Sequence, residues 1–434
     1  MNFATSFLPA VTQKLTNGLT VILQPIAITN AVTVDIWVQA GGRHESPDLL
    51  GMSHFLEHMV FKGTERLKPG DLDRAVEGRG GITNAATGQD YTHYYITVAA
   101  EDLAETFPYL AEVVTQAAIP EDEFERERQV VLEEIRRAAD NPDYLAYHQL
   151  MSTVYQQHPY GRPVLGTPEV LLSFTPELMR QYHRRWYSPE NMTVVMVGNL
   201  DMDAAMGLVE QYFGGLPAGG DPLLPSLPPE PPLTGIRRAH LQQPRLEQAR
   251  LLMAWPTVGV KHWQETCGLE MLASILGDGR TSRLVNLLRE QRGWVRGVGC
   301  SAASQQEQGL FYVSAYLDPM QIEMVEQAIL AEMGKLQQTP IPQEELERTR
   351  RILVNEFVFS TESPHQLASV YGYYHLMGGV ELALDYLQQV RSLTAQQLQE
   401  LAAIYLSPAA YVVTTLCPEV VPDSFTPPLE LVLH

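Results

Sequence analysis

A stretch in the first half of this chain is written again in the second. Ile119-Pro120-Glu121-Asp122-Glu123-Phe124-Glu125-Arg126 returns 222 residues later as Ile341-Pro342-Gln343-Glu344-Glu345-Leu346-Glu347-Arg348, and the same displacement carries Arg128 onto Arg350 and Glu134 onto Glu356. Ser173, Thr175, Ser188, Pro189 and Val194 recur, displaced by 219, as Ser392, Thr394, Ser407, Pro408 and Val413. Matches kept in order over such a span mark a duplicated unit, which obliges the chain to fold as two like domains. The length of 434 residues agrees, because single cores stop growing at roughly 250–300 residues. Between the copies, Leu216 to Gly235 reads LPAGGDPLLPSLPPEPPLTG, too rich in proline and glycine for a helix or central strand. The expected organisation is a domain over 1–215, a semi-rigid linker over 216–235 and a homologous domain over 236–434.

Local patterns supply the elements. Gln13 to Gln24, QKLTNGLTVILQ, is two strand-like runs about Asn17-Gly18, a strong hairpin signal. Ala31 to Ala40 alternates Val32, Val34, Ile36 and Val38 on one side, which predicts a strand with one buried face. Helical patterns run from Glu101 to about Gln116 and from Pro120 to about Tyr155. Gly80 to Thr87 is small and polar, and Asp90 to Val98 returns to β-rich composition. A small-residue edge at Asn84-Ala85-Ala86 could accept an extended peptide as an added strand, or be an ordinary sheet edge.

Charge and cysteine content narrow the function classes. A net charge of -21 opposes binding to a phosphate backbone, so no nucleic-acid partner is expected. Acidity could steer basic peptides, or simply keep the protein dispersed. Cys267, Cys300 and Cys417 are too few and too scattered for a disulfide framework or a thiolate metal site. The first residues, MNFATSFLPAVTQKL, lack a basic start followed by an apolar run, and no segment reaches about 18 consecutive apolar residues. A soluble, cytoplasmic protein without membrane insertion is the expectation.

The chemistry is concentrated in His54-Phe55-Leu56-Glu57-His58. On a helix, His54 and His58 stand one turn apart on the same face with Glu57 beside them. Two neutral imidazoles so placed can share a zinc ion, and a neighbouring carboxylate can take a proton from its water. A third ligand is needed, and the acidic helix beyond Pro120 offers several. Glu127 and Glu134, seven residues apart, share a face, and Glu133 points about 100° from Glu134. The duplication provides a control. Where the first half has His54 to His58, the second has Met271-Leu272-Ala273-Ser274-Ile275, which keeps an apolar helix face and none of the three polar groups. The shared fold therefore does not need His54, Glu57 and His58.

At HFLEHMVFKGT the chain resembles the pitrilysin family of zinc metallopeptidases, whose HxxEH order inverts the commoner HExxH. The resemblance extends through NAATGQDYTHYY (Asn84 to Tyr95), ERERQVVLEEI (Glu125 to Ile135), HPYGRPVLGT (His158 to Thr167) and LGDGRTSRLVNLLREQRG (Leu276 to Gly293). Length and motif order are most similar to the half-length subfamily that includes mitochondrial processing peptidase. The implied fold class is α+β, two homologous domains that are each a mostly antiparallel sheet flanked by helices. The implied metal is one Zn2+ per chain on His54, His58 and Glu134. Glu134 lies 76 residues beyond His58 in a V-x-L-x-E context, with Glu133 as the runner-up. The implied catalytic carboxylates are Glu57 as base and Glu127 as the additional acid that orients a ligand. Peptide substrate would lie along Asn84, Ala85 and Ala86.

One departure bears on partners. Active relatives use an Arg and a Tyr from the second half, in a pattern like L-R-x-x-x-G-x-x-Y, to hold substrate and oxyanion. Here Arg289 keeps the Arg position and Arg296 stands where Tyr is expected. The resemblance then implies a metal-bearing subunit paired with a homologous chain that carries the Arg/Tyr pair, the two closing around a chamber, or a homodimer. A non-catalytic structural homologue and a peptide-binding module are the rival functions. The intact His54, Glu57, His58 and Glu134 argue for the peptidase.

Overall fold

The computed structural model describes residues 10–219, 227, 229–244 and 246–419. The first half runs β1 (Val11–Lys14), β2 (Thr20–Pro25), β3 (Ala31–Val38), α1 (Met52–Val60), α2 (Asp71–Glu77), β4 (Ile82–Thr87), β5 (Thr92–Ala99) and α3 (Leu103–Thr115). It continues through α4 (Glu121–Asp140), α5 (Pro142–Val154), α6 (Pro168–Ser173), α7 (Pro176–Trp186), β6 (Met192–Gly198) and α8 (Met202–Phe213). The second half begins with β7 (Arg237–Gln243), β8 (Ala249–Val258), α9 (Trp263–Gly277), β9 (Val295–Ser304), β10 (Gln308–Leu317) and α10 (Ile322–Gln338). It ends with α11 (Gln343–Phe359), α12 (Pro364–Met377), α13 (Glu381–Ser392), α14 (Ala395–Tyr405) and β11 (Val412–Pro418).

The duplication is visible in the sheets. Strand order is β1-β2-β6-β3-β5-β4 in the first and β7-β11-β8-β10-β9 in the second, the same arrangement once β1 is set aside. In each, one pair is parallel, β2 with β6 and β7 with β11, and the other ladders are antiparallel. The chain is thus α+β with two related domains, as expected. Of the proline-rich segment, residues 220–226 and 228 lie outside the described residues. Farther along that segment, the Glu230 carboxylate accepts from the backbone N–H groups of Gln157 (2.8 Å) and His158 (3.0 Å), which ties the segment to the first half.

Two sequence expectations are corrected. β3 is buried on both faces, with Thr33 and Asp35 at 0% exposure and Trp37 at 2%, although the alternation predicted one buried face. The second face is covered by α12, an element from the other half that no local pattern can announce. The helix expected from Pro120 to Tyr155 is two helices, broken at Asn141-Pro142. Proline disfavours helical geometry at the residue before it, and the freed Asn141 side chain accepts from the N–H of Asp143 and of Tyr144 to cap α5.

That break lets α5 leave its own domain. It packs on β7, β8 and β11 of the second sheet, where Ala146, Leu150, Met151 and Val154 meet Leu252, Ala254, Leu310, Val412 and Leu416. Its duplicate α12 makes the reciprocal crossing, setting Leu367, Ala368 and Tyr371 against Ile22, Trp37, Val195 and Val197 of the first sheet. Each such large apolar side chain contributes about 1.5–3 kcal/mol when buried, so neither sheet covers its own back face.

A polar clamp joins the halves beside this exchange. Arg43, 3% exposed, meets Asp90 through Nε (3.0 Å) and reaches across to Glu307 through Nη1 (3.0 Å). Tyr160 donates its hydroxyl proton to Asp90 Oδ1 (2.8 Å). Buried ion pairs add little net stability beside apolar packing.

The tightest point of the exchange is Gly372 on α12, where a Cβ would stand 2.1 Å from Trp37 Nε1. In an open helix Gly→Ala stabilises by up to about 1 kcal/mol. Gly372→Ala is expected to reverse that sign and destabilise by about 1–3 kcal/mol, as overpacking does. Denaturant unfolding of the two proteins measures it.

Candidate metal centre

α1 starts under tight constraint. Gly51 has φ 90°, and a Cβ there would lie 2.7 Å from the Leu165 carbonyl oxygen, so glycine alone fits. The first N–H groups of a helix have no partner within it. Here the two oxygens of the buried Glu45 carboxyl group accept from two of them, Gly51 (2.7 Å) and Ser53 (2.7 Å). Phe55, Leu56, Met59 and Val60 are fully buried on the core side, and Phe55 meets Phe124 of α4 with ring centroids 4.7 Å apart. The opposite face is left to His54, Glu57 and His58.

Glu134 arrives from α4. One ligand atom each from His54, His58 and Glu134 lie within 4.8 Å of one another. Both imidazole Nε2 atoms stand 3.5 Å from Glu134 Oε2. Tetrahedral ligands bonded at about 2.0–2.2 Å lie about 3.3–3.6 Å apart, so these spacings fit donors that face a common ion. Burial, and then the charge of His58, push the His54 pKa down to about 3, which keeps its imidazole neutral as a ligand must be. His54 Nδ1 is buried without a protein partner among the described residues. Glu133, the sequence runner-up, turns away to Arg136 and Arg137.

His58 is oriented from behind. Its Nδ1 meets Glu127 Oε1 (2.9 Å), and the other carboxylate oxygen meets Lys62 Nζ (2.7 Å). Burial favours the neutral His58, but the bond to Glu127 and the carboxylates of Glu57, Glu127 and Glu134 outweigh it and raise its pKa. Glu127 itself is held low, since its bonds to His58 and Lys62 overcome the penalty of burial. A carboxylate on the far nitrogen of a ligand histidine fixes the tautomer and the ring direction. Glu127 therefore touches His58 and not the cleft, so its place is that of a positioning residue.

Glu57 faces the open side. Burial raises its pKa, a hydrogen bond from Thr87 Oγ1 (2.5 Å) and the nearby His58 oppose that, and Glu134 adds to it. His54, Glu57 and Glu134 line a cleft of about 750 Å³ together with Ala86, Thr87 and Tyr144. β4 is the edge of its sheet and pairs only with β5 among the described strands. On it Asn84 and Ala86 are exposed and Ala85 is half-buried.

Arg289 is not brought to this cleft. It sits in a π-helical turn over Val285–Gln291 and pairs with Glu290 at 2.9 Å, and Arg296 is exposed near the start of β9. Glu45, Lys62 and Thr87 were not expected from the sequence. Glu45 and Thr87 act on α1 from separate loops and strands, without a local signature.

Glu45 offers a test of the support beneath the centre. Burial lifts its pKa to about 8, against the pull of the Ser53 and Gly51 amides. The folded chain thus binds this proton more tightly than the unfolded chain, a contribution complete below about pH 4.5 and lost as pH rises through about 8. Stability relative to Glu45→Gln is expected to fall by roughly 3–5 kcal/mol across that window, measured by denaturant unfolding at a series of pH values.

Comparison with known proteins agrees with this geometry. Residues 20–168 match the family model described as insulinase (peptidase family M16), and residues 173–353 match the one described as peptidase M16 inactive domain. An uncharacterized zinc protease of Mycobacterium leprae is 30% identical over 389 residues, 89% of this chain and 87% of that protein. The uncharacterized zinc protease YmxG of Bacillus subtilis is 29% identical over 375 residues, 85% of this chain and 88% of that protein. Among solved structures, a protease from Helicobacter pylori superposes with a TM-score of 0.90 at 27% identity, covering 95% of this chain and all of that one. The second-half match falls where the metal motif is missing, and the chain as a whole belongs to peptidase family M16.

Proposed function

We propose that this chain is a zinc-dependent metalloendopeptidase, with one Zn2+ held by His54, His58 and Glu134. The convergence of those three side chains, with His54, Glu134 and Glu57 on the wall of a cleft beside an open strand edge, carries the reading. Relatives named zinc proteases support the choice of metal.

When bound, zinc supplies a Lewis acid that polarises the scissile carbonyl and lowers the pKa of water toward about 7. Glu57 is the general base that takes the proton of the attacking water and then passes it to the leaving amine nitrogen. Its raised pKa suits it to both directions, and the Thr87 hydroxyl holds the carboxylate in place. Glu127 keeps His58 aimed. The peptide lies as an added strand on the outer edge of β4, its backbone bonding to groups around Asn84, Ala85 and Ala86 and displacing Asn84 Oδ1 from the Ala85 N–H (2.9 Å). Small side chains there let a second backbone approach.

Arg296, in place of the expected tyrosine, favours a second chain at the site. In this reading a homologous partner supplies the Arg/Tyr pair and closes the chamber, and this chain contributes the metal. A homodimer is the alternative arrangement, and a non-catalytic peptide-binding role is the rival function.

Glu57→Gln is expected to retain zinc at one ion per chain and to lower peptide cleavage by about 10²–10⁴. Metal analysis and a quenched-fluorescence peptide assay read the two effects separately, and cleavage at the parent rate would refute the mechanism. Size exclusion of the chain purified alone, with the same assay on each fraction, tests the partner. Rapid turnover in a monomer fraction would remove the need for one.

A further inference from the structure

The two halves share a fold and differ in the metal motif, so contacts found only in the first half point to what that motif requires. The approach to α4 reads Ala117-Ala118-Ile119-Pro120, and its counterpart before α11 reads Thr339-Pro340-Ile341-Pro342. Ile119 has φ 51°, the one positive φ outside glycine among the described residues. A β-branched residue in the left-handed region is strained and persists only where its surroundings enforce it.

The surroundings here are specific. Arg180 of α7 donates from Nε to the Ala118 carbonyl (3.2 Å) and from Nη2 to the Ile119 carbonyl (2.8 Å). The Ala118 N–H donates to the Gly63 carbonyl (3.1 Å), three residues past the end of α1. Gly63 has φ 101°, and a Cβ there would lie 2.8 Å from the Leu67 carbonyl oxygen, so this turn too is determined by close contact.

The second half has a positive-φ glycine after its helix too, Gly279 (φ 78°), two residues past α9, but the other parts are missing. Pro340 stands at the position of Ala118 and has no N–H to give. Gln399 stands at the position of Arg180, and its amide bonds to the Gln337 carbonyl instead (2.8 Å). Ile341 has no positive φ. Contacts that serve the common fold do recur: Arg128 donates to the Phe174 carbonyl (2.7 Å), and its duplicate Arg350 to that of Leu393 (2.6 Å).

Leverage explains why the metal-bearing half needs more. The two histidines are on α1 and the carboxylate is on α4, so the ligand set depends on how these helices lie together. Glu134 is roughly 20 Å along the helix from Ile119 at about 1.5 Å per residue. A tilt of about 5° at the start of α4 would move it by roughly 2 Å, whereas ligand distances tolerate only about 0.2 Å.

We infer that Gly63, Ala118, Ile119 and Arg180 form a brace that sets α4 against α1, with Arg180 a positioning residue for His54, His58 and Glu134. The inference rests on the zinc reading above. The test uses the full chain, stripped of metal and titrated with Zn2+ against a chromophoric chelator, with Co2+ absorption as a second readout and thermal unfolding of the metal-free protein as a third. Arg180→Gln, the residue of the second half, is expected to weaken zinc binding about tenfold or more, to dim the cobalt bands, and to move the metal-free midpoint little. Arg180→Lys should fall between, because one ammonium cannot span both carbonyls. Ala118→Pro, the residue of the second half, removes the N–H given to Gly63 and fixes the local φ, and it decides by the same criterion where Arg180→Gln does not fold. A parent chain that binds zinc, with variants within about twofold of it, would overturn the brace alone. A parent that takes up no zinc would overturn the metal reading and the brace with it.

Discussion

Each sheet in this protein is completed by a helix from the other half. α5 seals the second sheet and α12 seals the first, so the largest apolar contacts outside the two cores are the ones that hold the halves together. The arrangement explains why Thr33, Asp35 and Trp37 are buried on a strand whose alternation forecasts solvent there. Asp35 is tolerated because His93 Nδ1 meets it at 2.9 Å, since a buried charge needs a partner. It also ties the cleft to the interdomain packing. Tyr144 and Tyr147 of α5 line the cleft, as does Gln305 of the second half, and Ala146 and Leu150 of the same helix are buried in the interface.

The duplicated unit separates architecture from chemistry residue by residue. Both copies keep an apolar helix after the equivalent strands β3 and β8, α1 and α9, and both cap the helix near the end of the unit with threonine, Thr175 for α7 and Thr394 for α14. Only the first puts imidazoles on that apolar helix; α9 carries Glu265 and Glu270 and no histidine. Glu134 has a duplicate, Glu356, but the position of Glu127 is taken by Thr349, which is fully buried. The second copy lacks the metal motif, and it supplies α12 to the back of the first sheet and Gln305 to the wall of the cleft.

Much of this was legible in the sequence, and the boundary of legibility has a physical cause. His54, Glu57 and His58 share a helix face by spacing alone, and the duplication and the hairpin at Asn17-Gly18 are equally local. The choice of Glu134 over Glu133 came from family resemblance, and the structure brings Glu134 to the histidines while Glu133 pairs with arginines. What escaped was contact between segments distant in sequence: Glu45 at the start of α1, Thr87 on Glu57, α12 over β3. The division at Asn141-Pro142 was a local signal overridden by the helical pattern on either side.

The open edge of β4 has a cost apart from chemistry. A strand edge without a neighbour is a template for any strand that reaches it, including the same edge of a second molecule, although here Asn84 Oδ1 accepts from the Ala85 N–H (2.9 Å). The strand is six residues long, and its composition, ITNAAT, places asparagine and alanine at the centre, where β-branched or aromatic residues would grip a neighbouring chain hardest. Affinity along it must come from backbone hydrogen bonds more than from side chains. So little side-chain grip limits self-association along this edge, and Ile82, 61% exposed at one end, marks where adhesion would begin.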